Sequence, residues 1–111
     1  MTKREQYGLT FSHWVSPGNG QRTPMCRKDV IDDFSFLQVI NYFSINETKF
    51  LIEELEKAIN GEQYDNYPSS QLFDDLWMEL HHPNVHIYET DVIPMTDFKE
   101  LLEEWLCFLQ S

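Results

Sequence analysis

Ser44 followed three residues later by Glu47 narrows what this chain can become more than any other feature. In such a capping box the hydroxyl and the carboxylate satisfy backbone amides that the first turn of a helix leaves without partners. Behind it, Ile45, Thr48, Leu51, Ile52, Leu55, Ala58 and Ile59 recur at three- and four-residue spacing, leaving Glu47, Glu53, Glu54, Glu56 and Lys57 mostly for the outside. The spacing predicts an amphipathic helix, which Asn60-Gly61 can end through a left-handed residue. One apolar helical face must be buried against another layer, so the remaining segments have to supply one.

The C-terminal segment repeats the pattern. Thr96 can cap it, Asp97 and Glu100 suit the positive end of the helix dipole, and Phe98, Leu101, Leu102, Trp105, Phe108 and Leu109 form one face. Pro94 just upstream discourages helix before it and fits a connection from an extended segment. Between the two helices, Val85, Ile87 and Tyr88 mark a β-prone run, and His82-Pro83-Asn84 before it forms a turn. Leu76, Met78 and Leu80 alternate with Trp77, Glu79 and His81, which predicts a hairpin from about 75 to 90. A competing pattern places Leu72, Phe73, Leu76, Trp77 and Leu80 on a helix.

Near the N-terminus, Tyr7, Leu9, Phe11 and His13 alternate on one side of a strand that breaks at Ser16-Pro17-Gly18-Asn19-Gly20. The stretch from Val30 to Phe43 fits two patterns. Phe34, Phe36, Ile40 and Tyr42 alternate as in a strand, the preferred assignment, while Phe36, Val39, Ile40 and Phe43 share one face of a helix. Residues 61–71 are polar, carry two tyrosines and a proline, and are expected to form a surface loop. Strands, a helix, a hairpin and a closing helix make an α+β fold: a single domain over 1–111 with an antiparallel β-sheet and two amphipathic helices packed on it.

Charge bounds the partners. Residues 1–30 hold Lys3, Arg4, Arg22, Arg27 and Lys28 against Glu5 and Asp29, a net +3, which leaves −14 for residues 31–111 out of the total of −11. Such a field repels phosphate backbones and anionic lipid headgroups while attracting basic protein surfaces, so neither direct nucleic-acid nor membrane binding is expected. No stretch approaches the roughly 18 to 20 apolar residues of a membrane span, and the expected location is cytoplasmic.

Chemistry-bearing residues are present but do not form a known catalytic pattern. His81, His82 and His86, beside Glu79 and Glu89, suggest a metal, yet adjacent strand residues point to opposite faces, so no metal site is expected. Asp32-Asp33, Asp74-Asp75 and Glu103-Glu104 would need to converge in a cleft to act as general acid and base. Gly18-Asn19-Gly20 matches no nucleotide fingerprint. Cys26, next to Arg27 and Lys28, is either an ordinary thiol or one with a lowered pKa, and Cys107 has no partner motif. No cofactor and no enzymatic activity are expected.

Phe43-Ser44-Ile45-Asn46-Glu47 opening a helix that ends Leu55-Glu56-Lys57-Ala58-Ile59-Asn60-Gly61, the polar stretch Glu62 to Gln71, Val85-His86-Ile87-Tyr88-Glu89, and Thr96 to Leu106 together resemble small immunity proteins. These belong to bacterial polymorphic and contact-dependent growth inhibition toxin systems, and the resemblance spans roughly residues 42–109. It implies a non-enzymatic antitoxin that binds the toxic domain of a cognate effector. A basic, nuclease-type toxin domain would complement the acidic body and be steered towards it. The resemblance carries over no interface residue, so the contact candidates come from chemistry: Asp32, Asp33, Asp65, Asp74 and Asp75 as charges, with Tyr64 and Tyr67 as anchors. A metal-dependent hydrolase using the 81–86 histidines and an acidic regulatory adaptor are the alternatives.

Overall fold

The computed structural model describes residues 2–66, 78–88 and 91–111. A one-turn helix, α1 (Lys3–Gln6), precedes a hairpin of β1 (Leu9–Val15) and β2 (Arg22–Lys28). A 3₁₀ segment (Ser35–Tyr42) leads into α2 (Ile45–Ile59), then come β3 (Met78–His81), β4 (Asn84–Ile87) and β5 (Asp91–Pro94), and α3 (Met95–Gln110) closes the chain. The class is α+β, as expected, with the described strands divided between two antiparallel sheets, β1-β2 and β3-β4-β5.

The capping box forms as the spacing requires. Ser44 N–H donates to Glu47 Oε1 at 2.9 Å and Glu47 N–H donates to Ser44 Oγ at 3.3 Å. Thr48, Leu51, Ile52, Leu55 and Ala58 are buried, and Gly61 adopts φ +78° just past the end. Glu54 departs from the expected pattern: it is buried, because its carboxylate accepts from the Asp65 amide at 3.0 Å and pairs with Lys57 at 3.2 Å. These partners satisfy a charge that would otherwise be expensive to bury.

In α3 the start lies earlier than Thr96 suggests. Pro94 occupies the capping position, Thr96 makes no capping bond, and the Met95 amide is satisfied instead by the Pro83 carbonyl at 2.9 Å. Phe98, Leu101, Leu102 and Trp105 are fully buried against α2 and the three-stranded sheet. Phe108 and Leu109 cover the edge of that core and stay partly exposed.

The predicted hairpin exists over 78–87, so Leu80 lies on a strand; Leu72, Phe73, Leu76 and Trp77 fall outside the described residues. Met78 pairs with Ile87, Leu80 with Val85, and Val85 with Ile93, which lines these five side chains in one buried row facing α3. Glu79, His81, His86 and Val92 take the opposite face. In β1 the alternation holds from Leu9 onward, while Tyr7 caps α1 before the strand: Phe11 meets Trp105 edge-on at 5.1 Å and His13 stacks on Phe108 at 4.6 Å.

The Val30–Phe43 stretch is not a strand. Asp32 Oδ1 accepts from the Phe34 amide at 2.8 Å, the Asp32 amide donates to Ser35 Oγ at 3.1 Å, and the Ser35 amide donates to the Asp32 carbonyl at 3.1 Å. These local bonds turn the chain and start the 3₁₀ segment in place of a ladder. Leu37 and Ile40, three apart and therefore aligned on a 3₁₀ helix, are both fully buried. No helix among the described residues is long and apolar enough to cross a membrane.

Candidate functional site

Asp32 and Asp33 end up where the turn before the 3₁₀ segment meets the start of β5. Together with Asp91, Val92, Phe34 and Phe36 they line a concavity of about 770 Å³. The two acids of the turn have different situations. Asp32 Oδ2 pairs with Lys28 Nζ at 2.8 Å, and Lys28, its side chain only 3% exposed, also donates to the Tyr7 carbonyl. The Lys28 hydrogen bond and the Phe34 amide hold the Asp32 carboxyl below its usual range. Asp33 is exposed and, like Asp91, has no partner for its carboxylate among the described residues. Asp32 is thus a structural anchor for a buried ammonium, while Asp33 and Asp91 present free negative charge.

Apolar surface stands beside that charge. Val30 and Ile31, immediately before Asp32, are 66% and 92% exposed, and Val92 at the concavity is 40% exposed. Exposed aliphatic anchors beside acids are the ingredients of a protein-binding surface.

The other candidates do not join this place. Tyr64 packs against the core and its hydroxyl accepts from the His82 amide at 3.3 Å, so it braces the β3-β4 turn. Asp65 is held through its amide to Glu54. Tyr67, Asp74 and Asp75 lie outside the described residues. Asp91, which the sequence did not suggest, comes to the site only because β5 runs beside the 31–36 turn.

A second acidic groove, of about 410 Å³, runs between α2 and α3 and is lined by Glu56, Glu100 and Glu103 with Lys99 among them. Lys99 reaches Glu103 at 3.2 Å and Glu56 at 3.7 Å, which offsets part of the charge. This groove carries no exposed large apolar residue comparable to Ile31.

His81 and His86 meet edge to face on the outer face of the hairpin with ring centroids 6.0 Å apart. Among the described residues no group of three or more potential metal-ligating side chains is close enough to hold an ion. Cys26 has the reverse of a lowered pKa: burial, then the nearby Asp29 charge, pushes its thiol up to about 12. Arg27 cannot help, since adjacent strand residues face opposite ways, and Lys28 is engaged with Asp32. With Cys107 exposed and Cys26 fully buried, native protein should titrate one fast-reacting thiol with an aromatic disulfide reagent and the second only on unfolding. Two fast thiols in the native state would contradict the buried placement of Cys26.

Comparison of the chain with protein-family models, with curated proteins and with solved structures finds no match.

Proposed function

We propose that this protein is an immunity protein: it binds a cognate toxin domain with a basic surface and neutralises it stoichiometrically. The observation that carries the reading is the concavity in which Asp33 and Asp91 present carboxylates unpaired among the described residues beside Val92, with the exposed Ile31 just before its acidic turn. A pair of acids next to an aliphatic anchor suits a lysine- or arginine-bearing protein surface, because the charges steer encounter and the anchor supplies desolvation. The net charge of −11 extends that steering beyond the contact itself. The layout resemblance supplies the toxin as the class of partner, and the acidic concavity supplies the sign of its surface.

The test is calorimetric titration into the catalytically disabled toxin domain encoded just upstream, at low and high salt. One-to-one binding that weakens as salt rises is expected. The double variant Asp33→Asn, Asp91→Asn should weaken it about tenfold or more, mainly through slower association, whereas Ile31→Ala should act mainly on dissociation. Asp32→Asn belongs outside this series, because it would leave buried Lys28 without its counter-charge. Absence of binding would sink the toxin pairing, and unchanged affinity in the double variant would remove the concavity as its contact surface.

A further inference from the structure

Among the described strands, every free edge but one carries a device that discourages pairing. In β3 the Leu80 amide donates to the Asn66 carbonyl at 2.7 Å and the Asn66 side-chain amide donates back to the Leu80 carbonyl at 3.2 Å. The edge of β2 is covered by the carboxamide of Asn41, which accepts from the Cys26 amide and donates to the Cys26 carbonyl. Pro24 in the same strand has no N–H to offer. The edge strand β5 is four residues long and ends in Pro94. Such devices keep natural sheets from pairing with other chains.

β1 lacks all of them. The Asp29 amide donates to the Gly8 carbonyl and the Ser16 amide to the Gln21 carbonyl, so even-numbered residues face β2. Leu9, Phe11, His13 and Val15 therefore turn their backbone groups outward, and none of these groups has a partner among the described residues. The strand is seven residues long and contains no proline, lysine, arginine, aspartate or glutamate. At its far end Trp14 and Val15 are 53% and 54% exposed.

We propose that β1 is the pairing edge for a second copy of this chain, joining the two hairpins antiparallel into one continuous sheet across a two-fold axis at Ser12. Charge selects the occupant. No residue of Gly8–Lys28 is acidic, and the carboxylate bonded to β1, Asp29 on Thr10 Oγ1 at 2.7 Å, sits at one end of the strand, so two chains of net charge −11 can approach here with little acid set against acid. At one end of the strand Arg22 Nη2 lies 3.2 Å from His13 Nδ1, while Arg4 stands over the Phe11 ring at 5.3 Å and has Glu104 at 3.9 Å. The edge is also self-complementary. With the axis at Ser12, Phe11 pairs with His13 of the copy and His13 with its Phe11, so the outward N–H and C=O groups of both meet their counterparts, while Val15 runs out towards the covered end of the copy at Leu9, which is 4% exposed. Thr10 then lies opposite Trp14 of the copy, and the exposed indole gains cover.

The register makes the test specific. Ser12 faces its own copy in a non-hydrogen-bonded pair, the closest approach in an antiparallel ladder and within disulfide reach. In a Cys107→Ser background, mild oxidation of Ser12→Cys should yield a covalent dimer, whereas Thr10→Cys and Trp14→Cys, each facing a different residue, should not. Light scattering of the full, unmodified chain across a concentration series should show a monomer–dimer equilibrium. Ser12→Lys, which sets two like charges directly opposite, should weaken that equilibrium about fivefold or more with the circular dichroism unchanged. A monomer at every concentration would overturn the proposal, and so would a dimer that Ser12→Cys fails to lock or Ser12→Lys fails to weaken.

Discussion

Trp105→Ala is expected to lower the free energy of unfolding by about 3–5 kcal/mol, the range for deleting a large buried aromatic side chain. Trp105 is 1% exposed and touches three parts of the chain at once. Its ring meets Phe11 of β1 edge-on at 5.1 Å and stacks on Phe108 at 5.7 Å, and its Nε1–H donates to the Phe43 carbonyl at 3.0 Å, just before α2. Truncation would open a cavity between the hairpin and the helices and remove that hydrogen bond. Trp105→Phe separates the two contributions. It retains most of the packing but not the N–H, and should cost about 0.5–1.5 kcal/mol for the lost hydrogen bond. Urea unfolding followed by circular dichroism measures both. Because a domain of this size has about 5–15 kcal/mol in total, the alanine variant should lose a large share of its stability. A loss below about 1 kcal/mol for Trp105→Ala would mean that the hairpin does not pack on α3 as described.

Trp105 also marks how far the sequence could be followed. Its helix, its face and its burial were legible, because the apolar residues of α3 recur with the helical period. The same holds for α2 and for the β3-β4 hairpin, where strict alternation meets a turn at His82-Pro83. Its bond to Phe43 was not legible, since nothing local links positions 62 residues apart. Where local bonds compete with pattern, the pattern misled: the Asp32–Ser35 turn overrides the alternation of Phe34 and Phe36. β2 escaped notice for another reason. Its proline and three basic residues show no apolar alternation, and it is a strand only because β1 pairs along it and Asn41 covers its other side. Glu54 looked like one more solvated acid until the fold brought the Asp65 amide to it. The candidate site follows the same division. Asp32 and Asp33 were visible as a charge pair, but which of them is free depends on Lys28, and the third acid, Asp91, arrives through tertiary contact alone.

Tyr7→Phe should cost about 1.5–3 kcal/mol near neutral pH, as expected for a hydrogen bond to a charged group, and should also change how stability depends on alkaline pH. The Tyr7 hydroxyl donates to Asp97 Oδ2, and Lys3 Nζ reaches Asp97 Oδ1 at 2.9 Å, so one carboxylate on the first turn of α3 ties down the N-terminal helix and the entry to β1. The phenylalanine ring would keep the edge-on contact with Phe34 at 4.8 Å, which confines the loss to the hydroxyl. Burial opposes ionisation of Asp97, but the Tyr7 hydroxyl and the Lys3 ammonium outweigh it and hold the carboxyl below its ordinary 3.8. A lowered folded value gives a contribution that is present above 3.8 and lost as pH falls through the folded value. Tyr7 moves the other way: burial, then the hydrogen bond to Asp97 and its charge, raise the phenol well above its ordinary 10.0. Its contribution is therefore complete below pH 10 and is lost as pH rises further, because the unfolded phenol ionises first. Comparing urea midpoints of the two proteins between pH 7 and about 11 isolates this residue from the other tyrosines and lysines that ionise in both. The gap should narrow above pH 10 as the wild type loses an advantage that the variant never had. A gap that stays constant through that range would show that Asp97 does not hold the Tyr7 proton.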